Sequence, residues 1–263
     1  MEYIILIISL VGIVFGADFL VTGAVSIARK YKVSDFVIGA AIIGVGTSMP
    51  EMTVSFLGAL NGNADVAIGN VVGSNIFNVF GILGLTAIFF PITFRRDKQA
   101  KPQVTQPKEG QLVGPMWISI LKVVGGLAVL VFSCDVFVDN AVLIAKSFGV
   151  SDSFISLTLI ACGTSLPELA ASIAAAIKKN TSMALGNIVG SNIFNIALIL
   201  GLCSQVSPLT STGIGLVDFM VMIAAALVLF VFGKDCKISR GEGTFLFMCF
   251  VAYNWYLISI QIA

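Results

Sequence analysis

Gly46-Thr-Ser-Met-Pro-Glu51 is a sequence that occurs again 117 residues later, as Gly163-Thr-Ser-Leu-Pro-Glu168. Each copy leads to a second shared sequence at the same offset, Gly69-Asn-Val-Val-Gly-Ser-Asn-Ile-Phe-Asn78 and Gly186-Asn-Ile-Val-Gly-Ser-Asn-Ile-Phe-Asn195. Of the 40 ungapped positions that start at the two first glycines, 22 are identical. The chain is therefore a duplication, and it repeats best the polar residues inside apolar sequence. Such residues are costly at membrane depth and indicate a site, and two copies indicate one site formed by two halves.

The composition indicates a membrane protein. Hydrophobic residues make up 57% of the chain and charged residues 11%, whereas an average soluble domain has about 25% charged residues. Apolar stretches of about 20 residues, each long enough to cross a bilayer as a helix, recur along the chain. They lack the alternation of a β-barrel. We therefore predict an all-α, polytopic membrane protein with helices near residues 3–28, 36–60, 66–90, 116–146, 153–177, 183–204, 213–232 and 243–261.

The basic residues predict the orientation of these eight helices. If the helices alternate across the membrane, all but Lys146 of the 15 Lys and Arg residues fall on one side. Loops on the cytoplasmic side are enriched in Lys and Arg, so we expect the N-terminus to lie outside. The expected location is the plasma membrane, as a multi-pass protein. A net charge of +1 gives no reason to expect nucleic acid as a partner.

Two repeats of unequal length divide the chain. The first repeat, residues 1–94, holds three predicted helices, a hydrophilic linker occupies residues 95–115, and the second repeat, residues 116–263, holds five helices. Because three is odd, the second repeat enters the membrane from the opposite face, so the repeats are inverted in topology. The first repeat has no counterpart of the last two helices. Either it has lost a helix pair or the sequence omits one.

A proline interrupts the helix that carries the first motif. Pro50 has no N–H, so the carbonyl of Gly46 loses its helical partner and the helix kinks. Free carbonyls at membrane depth are tolerated only where they face protein, water or a ligand, and a cation would satisfy them. Thr47, Glu51 and Ser55 are four residues apart and share one helix face. The second copy repeats this arrangement with Pro167, Thr164, Glu168 and Ser172.

The next helix adds hydroxyl and amide oxygens. By the same spacing, one face carries Asn70, Ser74 and Asn78 in the first copy and Asn187, Ser191 and Asn195 in the second. A single residue of this kind commonly just bonds a neighbouring helix. Two copies of a carboxylate with hydroxyl, amide and carbonyl oxygens are hard donors, which suit Ca²⁺, Na⁺ or Mg²⁺. The chain has no His, and its five Cys residues show no C-x-x-C spacing. The two glutamates together carry the charge that one Ca²⁺ cancels.

At these residues the sequence resembles the cation/calcium exchanger superfamily, and within it the prokaryotic sodium/calcium exchangers. The two shared sequences correspond to the α-repeats of that family, and the resemblance covers residues 1–94 and 116–263. It implies two inverted repeats of five helices each, with ions bound at mid-membrane between the four α-repeat helices. In this chain the fourth and fifth of the family's ten helices are missing.

The resemblance also implies a set of ion ligands. Glu51 and Glu168 would bind both Ca²⁺ and Na⁺, and Asn78 and Asn195 would line the centre. The carbonyls of Thr47 and Thr164 would join the Ca²⁺ site. The Na⁺ sites would be completed by Ser48, Ser74, Ser165 and Ser191, with carbonyls near Gly44 and Ala161. Because the two ions share ligands they compete, and competition between two binding modes is exchange.

The function implied by the resemblance is secondary antiport, in which an inward Na⁺ gradient expels Ca²⁺ by alternating access. No covalent chemistry, no cofactor and no obligatory protein partner is expected; the partners are the two ions and the bilayer. We expect an electrogenic cycle. Some family members carry Asp where Asn195 stands, and Asn at both central positions favours independence from K⁺.

Three other functions remain open on the sequence. A proton/calcium exchanger could use the paired glutamates to release Ca²⁺ by taking up protons, although the Ser and Thr beside each Glu favour Na⁺. An ion channel would more often show symmetry around a pore axis. An intramembrane enzyme is disfavoured, since no Ser/His, His/Glu or paired-Asp protease signature stands out.

Overall fold

Helices form almost all of the structure, a computed structural model that describes residues 2–93, 115–148, 161–210 and 214–262. The helices are α1 Glu2–Tyr31, α2 Asp35–Thr47, α3 Met49–Leu60, α4 Ala64–Phe89, α5 Met116–Ser147, α6 Ala161–Gly163, α7 Leu166–Ile177, α8 Thr181–Val206, α9 Leu216–Phe232 and α10 Arg240–Ile262. A two-residue strand, β1 Ile92–Thr93, pairs antiparallel with β2 Lys237–Ile238. The sequence did not predict this pairing. Of the predicted linker, 95–115, only Pro115 lies within the described residues, at the start of α5.

Six of the described helices are long and apolar enough to cross a membrane: α1, α4, α5, α8, α9 with the turn that follows it, and α10. A seventh candidate is the bent pair α2–α3. The remaining predicted helix, 153–177, lies partly outside the described residues, and its described part contains α7, an apolar helix of 12 residues. The chain is thus a mostly helical membrane protein, and the count of eight helices stays a prediction.

The predicted kink at Pro50 is confirmed. The axes of α2 and α3 differ by 47°, and the break falls at Ser48, with φ −82° and ψ 8°. Pro50 lies in the first turn of α3, the part of a helix that best tolerates a residue without an N–H. The second copy breaks in the same way at Ser165, with φ −94° and ψ 9°, and Pro167 lies in the first turn of α7.

Wide π-helical turns interrupt the helices that surround the motifs. They cover Gly39–Gly44 in α2, Phe77–Leu83 in α4 and Asn195–Leu200 in α8. Each turn contains one of the predicted ion ligands, Gly44, Asn78 or Asn195. Such turns are rare and occur frequently at functional sites. A search for 3.6-residue periodicity does not reveal them, because the apolar pattern continues through them.

Glycines let the two halves of the chain meet backbone to backbone. The helix α8 crosses α2, and a Cβ at Gly186 or Gly190 would collide with the main chain of Phe36 or Ala40. Small residues at these positions thus allow the two helices to approach closely. This crossing brings the motif helices of the two halves together around the buried polar residues.

The two copies of the second motif helix are not equally covered. Of the most apolar 18 residues, 78% are buried in α4 but only 56% in α8. Ile76 in α4 is 1% exposed, whereas its counterpart in α8, Ile193, is 61% exposed. The helices α9 and α10 pack against α4 and account for its additional cover.

Candidate cation site

The two glutamates are buried where the helices break. Glu51 lies in the first turn of α3 and Glu168 in the first turn of α7, and both are 0% exposed. The N-terminal end of a helix carries a partial positive charge, which favours a carboxylate at these positions. Both carboxylates therefore occupy matching places in the two copies.

Hydrogen bonds between the halves bring the glutamates into one cluster. The hydroxyl of Ser48 donates to Oε1 of Glu168 at 2.9 Å, and the hydroxyl of Ser165 donates to Oε1 of Glu51 at 2.7 Å. Ser165 Oγ also lies 3.2 Å from Ser74 Oγ, which connects α4 to the cluster. The sequence prediction that both copies contribute to one polar site agrees with this arrangement.

Four buried oxygen atoms of the motif residues have no hydrogen-bond donor within the part of the chain that the structure describes. They are Oε2 of Glu51, Oε2 of Glu168, Oδ1 of Asn78 and Oδ1 of Asn195. All four residues are 0% exposed. A buried acceptor without a donor costs about 1–3 kcal/mol, and more when it is charged. Carboxylate and amide oxygens, all acceptors, are the ligands that suit a hard cation.

A second layer of asparagines holds the main chain of the glutamates. The amide nitrogen of Asn70 donates to the Glu51 carbonyl at 3.1 Å and to Ser55 Oγ at 2.9 Å. Asn187 makes the same two bonds, at the same lengths, to Glu168 and Ser172. The threonine hydroxyls connect the halves again, because Thr47 Oγ1 lies 3.3 Å from Asn187 Oδ1 and Thr164 Oγ1 lies 3.5 Å from Asn70 Oδ1.

The other predicted ligands lie beside this cluster. Ser191 Oγ donates to the Gly44 carbonyl at 3.2 Å, which places that carbonyl next to α8. The Thr47 hydroxyl also bonds the Ile43 carbonyl at 3.0 Å, so the side chain is held within its own helix. Ala161 is the first residue of α6, and its side chain is outside the described residues. The ligand roles of all these residues stay predictions.

Two asparagines of the cluster were not among the predicted ligands. Asn75 Oδ1 accepts from the amide nitrogen of Asn195 at 3.1 Å, and Asn192 Oδ1 accepts from that of Asn78 at 3.0 Å. Both belong to the repeated sequence and are 117 residues apart. Asn75 and Asn192 do not lie on the four-residue spacing that identified Asn78 and Asn195. Their identity in both copies of the repeat was the signal that could have identified them.

Among the described residues, Glu51 and Glu168 are the carboxylates that hydrogen bonds bring into the cluster. No group of three or more His, Cys, Asp or Glu residues that could hold a metal ion occurs in the described ranges. The cysteines of those ranges are free thiols, and Cys134 and Cys203 are buried in apolar clusters. Neutral oxygens supply the rest of the site, a donor set that suits Na⁺ and Ca²⁺ better than a transition metal.

The fold and the cluster together define a helical membrane protein with a buried cluster of hard oxygen atoms. A profile of the family described as "Sodium/calcium exchanger protein" matches residues 1–107 and 118–259. The chain therefore belongs to the sodium/calcium exchanger protein family, a family of membrane antiporters.

Relatives match the chain over nearly its full length. It is 35% identical to the putative antiporter CaxA of Alkalimonas amylolytica, over 97% of this chain and 98% of that protein. It is 31% identical to the sodium/calcium exchanger MaX1 of Methanosarcina acetivorans, over 96% of this chain and 97% of that protein. Its structure is similar to that of the sodium-calcium exchanger NCX_Mj soaked without Na⁺ and Ca²⁺, with a TM-score of 0.85 and 28% identity over 97% of this chain and 98% of that one.

Proposed function

We propose that this chain is a secondary antiporter that exchanges Na⁺ for Ca²⁺ across the plasma membrane. The observation that carries the proposal is the set of four buried acceptor oxygens, from Glu51, Glu168, Asn78 and Asn195, which have no donor among the described residues. One Ca²⁺ among them would neutralise both carboxylates and satisfy the amide oxygens. The relatives support the choice of ions, since MaX1 and NCX_Mj are named as exchangers of sodium and calcium.

Sodium would use the same carboxylates with different neutral donors. The hydroxyls of Ser48 and Ser165 already touch the glutamates, and Ser74 lies within 3.2 Å of Ser165. Hydroxyl oxygens are neutral and suit a monovalent ion beside a carboxylate. Because one carboxylate cannot bind Na⁺ and Ca²⁺ tightly at the same time, bound Na⁺ would displace Ca²⁺. This competition is the basis of the exchange. We expect no covalent chemistry and no cofactor.

Alternating access would involve α1 and α5. These helices pack along each other over much of their length, and α1 also contacts α7. Sliding of this pair past the motif helices would expose the cluster first to one side of the membrane and then to the other. An exchange cycle requires such a motion, since a site open to both sides at once would be a channel.

We further propose the inverted topology, with the N-terminus outside. The first repeat would comprise residues 1–94, the linker residues 95–115 and the second repeat residues 116–263. The length of a relative is compatible with a missing helix pair, because the alignment to CaxA extends over 314 positions while this chain has 263 residues. The difference is about the length of two membrane helices of roughly 20–25 residues each.

The deciding experiment is Ca²⁺ uptake into proteoliposomes of the purified chain with an imposed Na⁺ gradient. Uptake that requires Na⁺ inside the vesicles and stops when the gradient is abolished is the expected result, with protein-free liposomes as the control. Replacement of K⁺ by choline should leave the rate unchanged, because both central residues are neutral asparagines. Uptake that ignores Na⁺ and follows a pH gradient would instead establish a proton/calcium exchanger.

A further inference from the structure

Asn75 and Asn192 join the two halves, because each is hydrogen-bonded to a predicted ligand of the other half, Asn195 or Asn78. Asn75, in α4, accepts from the amide nitrogen of Asn195, and Asn192, in α8, accepts from that of Asn78. Asn75 is 2% exposed and Asn192 is partly buried. The pairs therefore connect α4 to α8.

An asparagine amide presents an oxygen at one end and a nitrogen at the other, and only the oxygen can bind a cation. The orientation of Asn78 is therefore decisive for an ion. Asn192 turns its nitrogen towards the main-chain carbonyl of Asn75, at 3.4 Å, and a carbonyl can only accept. The oxygen of Asn192 consequently faces Asn78, which must donate its nitrogen and direct its oxygen away from the pair.

The same reasoning applies to the other half with a different acceptor. The amide nitrogen of Asn75 lies 3.9 Å from the thioether sulfur of Met222 on α9, and sulfur in a thioether has no hydrogen to donate. The oxygen of Asn75 therefore faces Asn195, and Asn195 turns its own oxygen away. Each chain of hydrogen bonds ends on a group that can only accept. The side-chain oxygens of Asn78 and Asn195 therefore remain free to bind a cation.

We propose that Asn75 and Asn192 are positioning residues that fix the amide orientation of Asn195 and Asn78, so that two oxygens and no N–H groups face the transported ions. The inference rests on the proposed function, because it assigns a purpose to the central asparagines as ion ligands. Loss of an acceptor at position 75 would allow the Asn195 amide to rotate by half a turn and present its N–H₂ group to the cation.

The first variant for the test is Asn75→Ala, with Ca²⁺ and Na⁺ affinity measured by titration calorimetry of the purified full chain in detergent. We expect Ca²⁺ binding about tenfold weaker, in line with the loss of one buried hydrogen bond that orients a ligand. Calorimetry separates this effect from changes in transport rate. The unaltered chain must bind Ca²⁺ in the same assay.

The discriminating measurement repeats the substitution in an Asn195→Asp background. Both ends of a carboxylate are oxygens, so the side chain introduced at position 195 presents an oxygen to the ion in either orientation. The oxygen of Asn75 would then face a second acceptor instead of an N–H₂ group. We expect Asn75→Ala to change Ca²⁺ affinity less than threefold in this background, or to improve it. A residue that only supports the fold would cost the same in both backgrounds, as expected for independent sites.

Asn140→Ala serves as the matched control. Asn140 is a buried asparagine of α5 whose amide bonds the Val136 carbonyl of its own helix at 2.8 Å, so its removal should have equal effects in both backgrounds.

If Asn75→Ala does not yield a monodisperse protein, the equivalent pair of the other half, Asn192→Ala with and without Asn78→Asp, provides the same test. Equal costs in both backgrounds would overturn the inference alone. Absence of Ca²⁺ binding by the unaltered chain would overturn the proposed function and the inference with it.

Discussion

At the scale of single residues, each carboxylate is held by the half of the chain to which it does not belong. Ser165 donates to Glu51 and Ser48 donates to Glu168, while one oxygen of each carboxylate has no donor among the described residues. A cation that binds between the glutamates thus meets groups already oriented by the other half. Binding and the relative position of the halves are physically connected through these bonds.

The first prediction concerns the charge of the site. Glu168→Gln keeps the shape of the side chain and removes one of the two negative charges. A single remaining carboxylate cannot neutralise Ca²⁺ at membrane depth, so Na⁺-driven Ca²⁺ uptake should fall below detection. The same result is expected for Glu51→Gln. Asp139→Asn, which alters an exposed carboxylate of α5, should transport normally, and normal uptake by Glu168→Gln would refute the assignment.

The second prediction separates the two ions. Ser191→Ala or Ser74→Ala removes one neutral oxygen and leaves both glutamates in place. Na⁺ affinity should fall more than Ca²⁺ affinity, by about 1–3 kcal/mol if a buried polar contact is lost outright. Competition binding measures both affinities in one experiment. Ser204→Ala, which alters an exposed hydroxyl of the same helix as Ser191, should change neither, and equal losses for both ions at position 191 would contradict the assignment.

At the scale of elements, α1 and α5 pack at a contact of two glycines. A Cβ at Gly16 would lie 2.6 Å from the Leu130 nitrogen, and one at Gly126 would lie 2.9 Å from the Gly16 carbonyl oxygen. The two backbones therefore touch at this point. A contact made largely by backbone atoms is the kind of surface along which helices could slide.

The third prediction tests this contact. Gly16→Ala should separate α1 from α5 and cost about 1–3 kcal/mol of stability, the usual effect of overpacking. Thermal unfolding in detergent measures the loss, and Ca²⁺ uptake should fall with it. Gly125→Ala is the matched control, because no described atom outside its own helix lies within 4 Å of the added Cβ. Alanine also favours a helix over glycine by about 1 kcal/mol, so the control should be neutral or slightly stabilising.

At the scale of the whole molecule, the two halves are unequal. The first half has its motif helix α4 covered by α9 and α10, whereas the matching apolar face of α8 is exposed at Ile193 and Ile196. The glycines show the same difference, since Gly84 lies against the backbone of Phe247 in α10, but no described atom lies near its counterpart Gly201. A helix pair missing from the first repeat would account for this asymmetry.

The fourth prediction compares equivalent positions in the two halves. Ile76→Ala removes a side chain that is 1% exposed, and Ile193→Ala removes one that is 61% exposed. The first should destabilise the fold by about 2–5 kcal/mol, as expected for a buried isoleucine, whereas the second exchanges one surface group for a smaller one and should cost little. Thermal unfolding of the two variants side by side provides the comparison. Equal costs would show that α8 is covered as well as α4.

The fifth prediction concerns the membrane potential. With one Ca²⁺ the two carboxylates are neutralised, whereas a load of three Na⁺ would leave about one positive charge. Only the Na⁺ half-cycle should then respond to voltage, by roughly 2.3 kcal/mol per 100 mV. Once K⁺ is shown to be inert, valinomycin and K⁺ gradients of either sign can set the potential of proteoliposomes. Ca²⁺ uptake that ignores the sign of the potential would indicate a neutral exchange.

The sequence by itself determined the class of protein and predicted the place of the site. Composition and apolar length predicted the membrane helices, and repetition at a constant offset identified Glu51 and Glu168. Pro50 predicted the helix break that the structure has. These features are local, because hydrophobicity, proline chemistry and spacing along one helix are properties of short segments.

Only the tertiary structure decided which polar groups meet. The bond from Ser48 to Glu168 joins residues 120 positions apart, and nothing in the periodicity of either helix specifies that contact. Asn75 and Asn192 show the same limit, because spacing along their own helices passes over them and their partners lie on the opposite helix. The exposed face of α8 likewise follows from which helices are present to cover it. Hydrophobic periodicity reports which face of a helix is polar, whereas the neighbour of that face is set by how all the helices pack.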